Sequence, residues 1–391
     1  MNSMDDAVIL GWGRSAVTPL GGALSQLQPH EIAAPVVQGI LQRFGIPLTA
    51  VDAVIAGNAM GAGGNPARML ALAAGFADCI PALSVDSQCC AGLDAVALAH
   101  GMLAAGNADV VIAGGVEAWS RAPVRLHRPR HAGEAAIAYD SPAFAPDPAR
   151  DPGMLQAAAR HALTAGITRE QQDAWAVQSH ARAVAARAHI RDEIIAIGAA
   201  TLDSYPRTLE QRHLTRMPVV AMSDDGSVDE ASRQRHAVSR IAISPSADGA
   251  AFVVIATRDA ARRLNLHPHF AWRAGVSVGG LPETPMLAAI DAAQAALARI
   301  ASKIDDLWGV ELHDAFAAQA IAFCDALALS PAQLNRHGGG LGRGHPIGAS
   351  GAISLVRLLA DMRHAAPDGA IGLATIAAAG GLGAAAVVER C

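Results

Sequence analysis

SVDSQCCAGLDAVALAHGMLAAGNADVVIAGG, residues 84–115, has the pattern of a strand, a tight turn, a helix and a second strand. Apolar residues recur at helical spacing from Gly92 to Ala105, and the apolar run of 109–114 predicts a strand that is buried on both faces. Cys89 lies at the start of the predicted helix, where the positive end of the helix dipole favours a thiolate over a thiol. On this stretch alone, a small buried core residue is the simpler interpretation of Cys89.

A second stretch, HGGGLGRGHPIGASG at residues 337–351, repeats this layout in the C-terminal half of the chain. It is a loop of small residues that carries one reactive side chain, His345, and leads into an apolar helix predicted over Ala352–Met362. A buried strand is predicted after the helix in both halves. The pattern therefore predicts a pseudo-repeat in which two helix starts bring Cys89 and His345 to one centre.

The surrounding segments alternate between apolar strand patterns and amphipathic helix patterns, which is typical of an α/β unit with a mostly parallel sheet. In the first half, the predicted elements are a helix over Glu31–Phe44 and strands over Ala7–Gly13, Ala53–Gly57 and Ala250–Ala256. In the second half, they are helices over Thr284–Lys303 and Phe316–Leu329 and strands over Trp308–Leu312, about 370–376 and 384–388.

Residues 119–245 interrupt this alternation, and we expect them to form an insertion. Arg121–Pro152 is rich in Pro, Arg and His and predicts a loop. Ile167–Ala188 predicts an amphipathic helix with Thr168 as its N-cap. The expected division of the chain is an N-terminal half (1–118 plus 246–265), an inserted loop domain (119–245) and a C-terminal half (266–391).

The composition argues against several classes of protein. Apolar residues make up 52% of the 391 residues and charged residues only 17%, so the chain has material for a large core. The net charge of −5, without a long basic run, argues against nucleic acid as a partner. Residues 369–388 carry no charge, but glycines split them into two β-like runs, so we interpret them as buried strands and expect no membrane span.

The cysteines and the N-terminus indicate the compartment. The five cysteines, at positions 79, 89, 90, 324 and 391, lack the spacing of a metal site or of a disulfide framework. This pattern predicts no metal site and a reducing, cytoplasmic environment. The first ten residues, MNSMDDAVIL, are acidic and run directly into a strand pattern, unlike a signal peptide.

Seven motifs resemble those of the thiolases, in the order and spacing of that family. GHPIGASG at residues 344–351 is the most specific. The others are GNPARMLALAAG (64–75), CCAGL (89–93), GGVEAWSRAP (114–123), GITREQQDAWAVQSH (166–180), Ser244 ahead of Asp248-Gly249-Ala250, and HDAFAAQ (313–319). The resemblance covers essentially the whole chain. It implies the α/β thiolase fold: duplicated βαβαβαββ halves in a five-layer α-β-α-β-α core with an inserted loop domain.

The resemblance implies coenzyme A thioester substrates, no permanently bound cofactor, a role in fatty acid metabolism, and a homodimer or homotetramer. Exchange at a thioester needs a thiolate that attacks the carbonyl and leaves easily, and cysteine suits that role. Cys89 falls on the family's nucleophile, and His345 falls on the histidine that takes the thiol proton. The oxyanion would be held by the backbone N–H groups of Cys89 and Ala379. The positions that match the family's coenzyme A or acyl tunnel are Ser244, Met154 and Phe316.

Two positions depart from ordinary thiolases. Their Asn-Glu-Ala-Phe motif is replaced by His313-Asp314-Ala315-Phe316, which looks like the form in sterol-carrier-type thiolases, and His313 can donate a hydrogen bond to an enolate oxygen. Their second cysteine, which moves the α-proton, is replaced by Ala377. A missing general acid or base costs about 10²–10⁴ in rate, so the carbon–carbon step is in doubt. Acylation needs only Cys89 and an imidazole.

Three functions therefore fit the sequence. The first is a thiolase-family acyltransferase that performs Claisen condensation or thiolytic cleavage of 3-ketoacyl-CoA through acyl-Cys89. The second is a decarboxylating condensing enzyme, because Cys89, His313 and His345 match the Cys-His-His set of ketoacyl synthases, in which loss of carbon dioxide makes the enolate. The third is a non-catalytic subunit that binds acyl-CoA.

Overall fold

The structure, a computed structural model, describes residues 7–61 and 64–391. Its strands are β1 (Ala7–Arg14), β2 (Thr18–Pro19), β3 (Ala53–Gly57), β4 (Ala82–Val85), β5 (Val110–Ala118), β6 (Leu126–His127), β7 (Ile137–Ala138), β8 (Val219–Ala221), β9 (Val238–Ser239), β10 (Ala247–Thr257), β11 (Phe270–Gly279), β12 (Leu307–Leu312), β13 (Ile371–Ala378) and β14 (Leu382–Arg390). Its α-helices are α1 (Pro29–Arg43), α2 (Pro66–Ala73), α3 (Ala91–Ala104), α4 (Met154–Thr164), α5 (Arg169–Ala185), α6 (Gln211–Leu214), α7 (Glu230–Arg235), α8 (Arg258–Arg263), α9 (Ala288–Arg299), α10 (Ala317–Leu327), α11 (Gly340–Arg343) and α12 (Ser350–Ala365).

The main sheet has the strand order β12-β13-β14-β11-β1-β10-β5-β3-β4, with β2 paired to β10. Strands of the first half occupy one end of this order and strands of the second half occupy the other. The two halves join through an antiparallel pairing of β1 with β11, in which Val8 lies opposite Ala271 and Ile9 opposite Phe270. The pairs β3–β4, β3–β5 and β12–β13 are parallel, and the other pairs of this sheet are antiparallel. The prediction of a mostly parallel sheet is therefore wrong, because antiparallel pairings of β1, β10, β11 and β14 form its centre.

Three hydrophobic clusters fill the spaces between the layers. The outer cluster of the first half packs α1 and α2 against β1, β3, β5 and β10. The outer cluster of the second half packs α9 and α10 against β11, β12, β13 and β14. The central cluster contains α3 and α12 and the inner faces of both sets of strands. The layers therefore follow the order α-β-α-β-α, which confirms the predicted fold.

Most predicted elements are present with small shifts at their ends. The predicted strand of 109–114 is the start of β5, which is buried along its whole length. The uncharged run of 369–388 contains β13 and most of β14, as predicted. In the described part of the chain, no helix is both long enough and apolar enough to cross a bilayer.

The inserted residues 119–245 contain two short strand pairs and helices α4 to α7. The predicted helix of 167–188 is α5, and Thr168 caps it in a reciprocal capping box with Gln171. The predicted loop of 121–152 is wrong in part, because the pair β6–β7 forms within it. After the insertion, β10 returns to the sheet between β1 and β5. The three-part division of the chain stays a prediction.

One predicted helix is clearly too long. The pattern predicts a helix from Thr284 to Lys303, but α9 covers only Ala288–Arg299. Before it, Pro285 begins a separate 3-10 turn. After it, Ala301 has a φ of 52°, in the left-handed region that ends a helix.

Candidate active site

The turn that carries Cys89 is unusual in its backbone. Residues Gln88–Cys90 form a single 3-10 turn immediately before α3. Gln88 has a φ of 56°, which a residue with a side chain adopts only where surrounding contacts hold it. Asp86 supplies such contacts, because its Oδ1 accepts hydrogen bonds from the backbone N–H and the side-chain amide of Gln88, both at 3.0 Å. The strained turn places Cys89 at the start of the helix with 9% of its surface exposed.

Close packing beneath the turn requires glycine. A Cβ on Gly57, at the end of β3, would lie 2.5 Å from the carbonyl carbon of Ala91. The start of α3 therefore contacts the backbone of β3 directly. Gly115 is equally restricted, because a Cβ there would lie 2.0 Å from the carbonyl oxygen of Gly348. The cysteine turn thus packs on β3 and the histidine loop packs on β5, the strand paired with β3. This explains how two segments that are distant in sequence meet.

The structure brings Cys89 and His345 together. The Sγ atom of Cys89 lies 3.1 Å from Nε2 of His345. The other ring nitrogen, Nδ1, lies 2.7 Å from Oγ of the buried Ser350. The Ser350 hydroxyl donates its own hydrogen to the carbonyl of Pro346, at 2.9 Å. Because that hydrogen is used, Ser350 accepts from Nδ1–H, and the Nε2 lone pair of His345 faces the thiol.

Burial sets the charges of this pair. It raises the pKa of Cys89 to about 12, against the opposing effect of the backbone N–H groups of Ala379 and Cys89 itself. It also lowers the pKa of His345 to about 4. The resting pair is therefore a neutral thiol beside a neutral imidazole. This corrects the expectation of a resting thiolate, because desolvation at this site outweighs the helix dipole.

His313 lies directly behind His345. Their ring centroids are 4.3 Å apart, and His313 is 1% exposed. Burial lowers the pKa of His313 well below its usual value, and the nearby His345 adds to this effect, so the ring is neutral. Among the residues that the structure describes, none forms a hydrogen bond with its Nε2. An unpaired buried ring nitrogen next to the base is suited to bind a ligand oxygen.

The residue in place of the second cysteine is turned away. Ala377 belongs to the outer cluster of the second half, whereas its neighbours Ile376 and Ala378 belong to the central cluster. Nor does Cys90 replace the missing thiol, because its Sγ lies 3.8 Å from the carbonyl oxygen of Ile376 and burial raises its pKa well above the usual value. Cys324 is buried in α10 within the outer cluster. Cys89 is the cysteine that lines the cavity described next.

A cavity of about 610 Å³ opens onto Cys89 and His345. Its walls are mainly apolar, and Ala379 and all three of the predicted tunnel residues, Ser244, Met154 and Phe316, line it. The Ser244 hydroxyl donates to the carbonyl of Gly340 at 2.6 Å, so its proton is already engaged within the protein. Inserted residues such as Trp119, Phe144 and Leu155 supply much of the remaining wall. Such a space suits a long, mostly apolar chain that ends at the thiol.

Glu117 is a site residue that the sequence reasoning missed. Its buried carboxylate accepts hydrogen bonds from the side-chain amide of Asn58 at 2.9 Å and from the backbone N–H groups of Ala59 and Gly348, each at 3.0 Å. Burial raises the pKa of Glu117 to about 7. The carboxylate thereby joins the loop after β3 to the loop that carries His345. A lone acid at the end of an apolar strand was the available signal.

Comparisons with known proteins agree with this fold. The family described as "Thiolase, N-terminal domain" matches residues 7–259, and "Thiolase, C-terminal domain" matches residues 267–390. The chain therefore belongs to the thiolase family of acyltransferases.

Three relatives match along nearly their whole length. The acetyl-CoA acetyltransferase of Allochromatium vinosum is 35% identical, over 99% of both chains. The VraB protein of Staphylococcus aureus (strain MRSA252) is 34% identical, over 99% of this chain and 100% of its own. The crystal structure of the Bacillus anthracis acetyl-CoA acetyltransferase superposes with a TM-score of 0.89 at 29% identity, covering 100% of both chains.

Proposed function

We propose that the protein transfers acyl groups between coenzyme A thioesters through a covalent acyl-Cys89 intermediate. The observation that carries this proposal is the Cys89–His345–Ser350 chain of hydrogen bonds at the end of the apolar cavity. The names of two relatives, both acetyl-CoA acetyltransferases, support an acetyl or other short acyl group. We infer coenzyme A thioesters as substrates, with no permanently bound cofactor.

In the acylation step, Cys89 Sγ attacks the thioester carbonyl carbon while His345 Nε2 takes the thiol proton. The carbonyl oxygen gains the charge, and the backbone N–H groups of Cys89 and Ala379 stabilise it. The intermediate then collapses, and the bond between the carbonyl carbon and the coenzyme A sulfur breaks. The leaving thiolate takes the proton back from His345. Both groups begin and end neutral, which agrees with the direction of their pKa shifts.

The carbon–carbon step has two candidate forms. In condensation or thiolysis, a base or acid must move an α-proton, and Ala377 cannot do so. We propose that His313 does so with its unpaired Nε2, taking the α-proton in condensation and returning it to the enolate in thiolysis, because its ring lies only 4.3 Å from that of His345. The same two neutral histidines also favour the second candidate, decarboxylative condensation, in which loss of carbon dioxide makes the enolate without a base.

Two substrates distinguish these forms. Acetoacetyl-CoA with coenzyme A yields two acetyl-CoA if the enzyme performs thiolysis. Acetyl-CoA with malonyl-CoA yields acetoacetyl-CoA, carbon dioxide and free coenzyme A if it decarboxylates. We expect thiolysis to be the faster reaction. Turnover in the malonyl-CoA mixture but not in the acetoacetyl-CoA mixture would establish the second candidate. No product from either mixture would establish a binding subunit. His313→Ala should slow whichever reaction occurs by at least about 10²-fold.

We further propose that the chain forms a homodimer or homotetramer, acts in the cytoplasm and serves fatty acid metabolism. The dimer proposal rests on β4, which ends the sheet order and leaves an unpaired edge. Leu83 on β4 is 49% exposed, and Met69 and Leu72 on the adjacent α2 are 47% and 44% exposed. An open edge beside exposed apolar side chains suits pairing with a second copy.

A further inference from the structure

A cluster of metal-binding side chains lies apart from Cys89. His189, His337 and Asp361 come from the inserted residues, the loop before α11 and helix α12. Nε2 of His189 lies 2.8 Å from Oδ1 of Asp361, and Nδ1 of His337 lies 2.7 Å from Oδ2 of the same carboxylate. The ligand atoms of the three residues all lie within 4.8 Å of one another.

The carboxylate of the cluster is buried, and its two imidazoles are partly exposed to solvent. The side chain of Asp361 is 5% exposed, whereas those of His189 and His337 are 30% and 32% exposed. An ion could therefore enter from solvent and meet a carboxylate that is held in place. A third imidazole is close, because the ring of His364 lies 4.8 Å from the ring of His189.

We propose that His189, His337 and Asp361 bind a divalent transition-metal ion, with Zn²⁺ as the best match. Two imidazole nitrogens and one carboxylate oxygen form a ligand set that zinc uses in proteins, with a fourth position left for water or another side chain. Zinc ligands lie about 2.0–2.2 Å from the ion, so the three side chains need only small rotations to close around it. His364 is the available fourth ligand.

The nearby guanidinium of Arg357 does not exclude a cation. Its Nη2 donates to Oδ1 of Asp361 at 2.9 Å and lies 3.2 Å from Nδ1 of His337, a contact that a bound ion would replace, while its Nη1 pairs with Glu193. Glu193 also pairs with Arg14, which in turn pairs with Asp203. The positive charge of Arg357 is thus balanced by acidic residues that lie outside the proposed metal-binding cluster. It also fixes the carboxylate through Oδ1 and leaves Oδ2, the oxygen that faces His337, for the ion.

A bound ion would join parts of the chain that are distant in sequence. His189 belongs to the 3-10 turn His189–Glu193 in the insertion. His337 begins the loop that leads to the catalytic His345, and Asp361 lies near the end of α12. Because such an ion binds the folded chain and not the unfolded one, it should stabilise the attachment of the insertion to the C-terminal half.

Zinc titration of the full-length chain without a polyhistidine tag tests this proposal. Cys89 and His345 could also hold zinc, so the titration is run in a Cys89→Ser background. We expect one Zn²⁺ per chain and a higher melting temperature when zinc is present. His189→Gln should weaken binding by at least about tenfold, while His131→Gln, a change at an exposed histidine of the insertion, should have no effect. Both variants should melt at the parent temperature without metal.

Cobalt gives an independent readout. Co²⁺ bound by imidazole and carboxylate shows visible bands without the strong thiolate charge-transfer band in the near ultraviolet. We expect that spectrum in the parent chain and its loss in His337→Gln. The proposal is overturned if zinc affinity is the same in His189→Gln and in its parent. It is equally overturned if the Cys89→Ser substitution by itself abolishes zinc binding. It is also overturned if no ion binds at micromolar concentration.

Discussion

The hydroxyl of Ser350 determines which nitrogen of His345 carries a proton. Because Ser350 donates to Pro346 and accepts from Nδ1–H, the lone pair of Nε2 is held toward Cys89. The sequence shows Ser350 within GHPIGASG, but its two hydrogen bonds depend on how the loop folds back at the start of α12. At this scale, the tautomer of His345 is set by a neighbouring side chain that is not among the residues lining the cavity.

Ser350→Ala should slow acylation by about tenfold, because His345 then loses the partner that selects its tautomer. Binding of coenzyme A should be unchanged, so the substitution should lower the maximal rate of acylation and not the affinity for the substrate. Ser354→Ala is the matched control, since Ser354 lies one turn further along α12, is equally buried, and has no hydrogen-bond partner for its Oγ. Equal rates in the two variants would show that Ser350 does not position His345.

The rate at which Cys89 is alkylated should depend on proton transfer from its thiol to His345, and not on the population of a free thiolate. With the pKa of Cys89 raised to about 12 and that of His345 lowered to about 4, both groups stay neutral across the intervening pH range. The rate of carbamidomethylation by iodoacetamide should therefore change little from about pH 6 to 9 and fall strongly in His345→Ala. A titration step near neutral pH, as in a thiolate–imidazolium pair, would contradict this description.

At the scale of the elements, Glu117 joins the loop after β3 to the loop that carries His345. Near the end of β5, the Glu117 carboxylate accepts hydrogen bonds from the side-chain amide of Asn58 and from the backbone N–H groups of Ala59, Met60 and Gly348. The histidine loop therefore depends on a strand in the other half of the chain.

Glu117→Gln should lower the free energy of unfolding by about 1–3 kcal/mol, because the new amide N–H₂ would face donors and leave buried groups unpaired. Urea unfolding measures this change, with Glu134→Gln in the inserted segment as an exposed control. The parent should also lose stability from about pH 4.5 to 7. Over that range, the unfolded carboxyl ionises while the folded one, whose pKa is raised to about 7, still holds its proton. A Gln variant with the same stability and the same pH slope as the parent would refute this role.

At the scale of the whole molecule, duplication is the feature that the sequence predicts best. One reactive side chain before the central helix of each half predicts the meeting of Cys89 with His345. The layers are what the resemblance of the seven motifs to the thiolases implies. The packing of those layers leaves the edge strand β4 and its apolar neighbours open.

Leu83→Lys should therefore shift the protein from an oligomer to a monomer, because a charge on this edge opposes pairing between copies. Size-exclusion chromatography with light scattering measures the change. Leu281→Lys is the control, since Leu281 is 63% exposed and lies outside the β4 edge. A monomeric parent, or a variant that remains oligomeric, would place the interface elsewhere.

Other features depend on burial and on long-range contacts, which periodicity does not report. The helix dipole favours a thiolate at Cys89, yet desolvation raises its pKa to about 12. The cysteine spacing predicts no metal site, whereas His189, His337 and Asp361 are brought together from three separate segments. Local capping is different, because the predicted N-cap Thr168 contacts Gln171, only three residues away in the sequence.

The central claim is that Cys89 carries the acyl group and that His345 activates the Cys89 thiol by taking its proton. Its most direct test is peptide mapping by mass spectrometry after brief mixing with acetyl-CoA, followed over time. We predict one acetyl group on the peptide that contains Cys89, none in Cys89→Ser, and formation slowed by at least about 10²-fold in His345→Ala. Acetylation of another residue, or an unchanged rate in His345→Ala, would contradict the account.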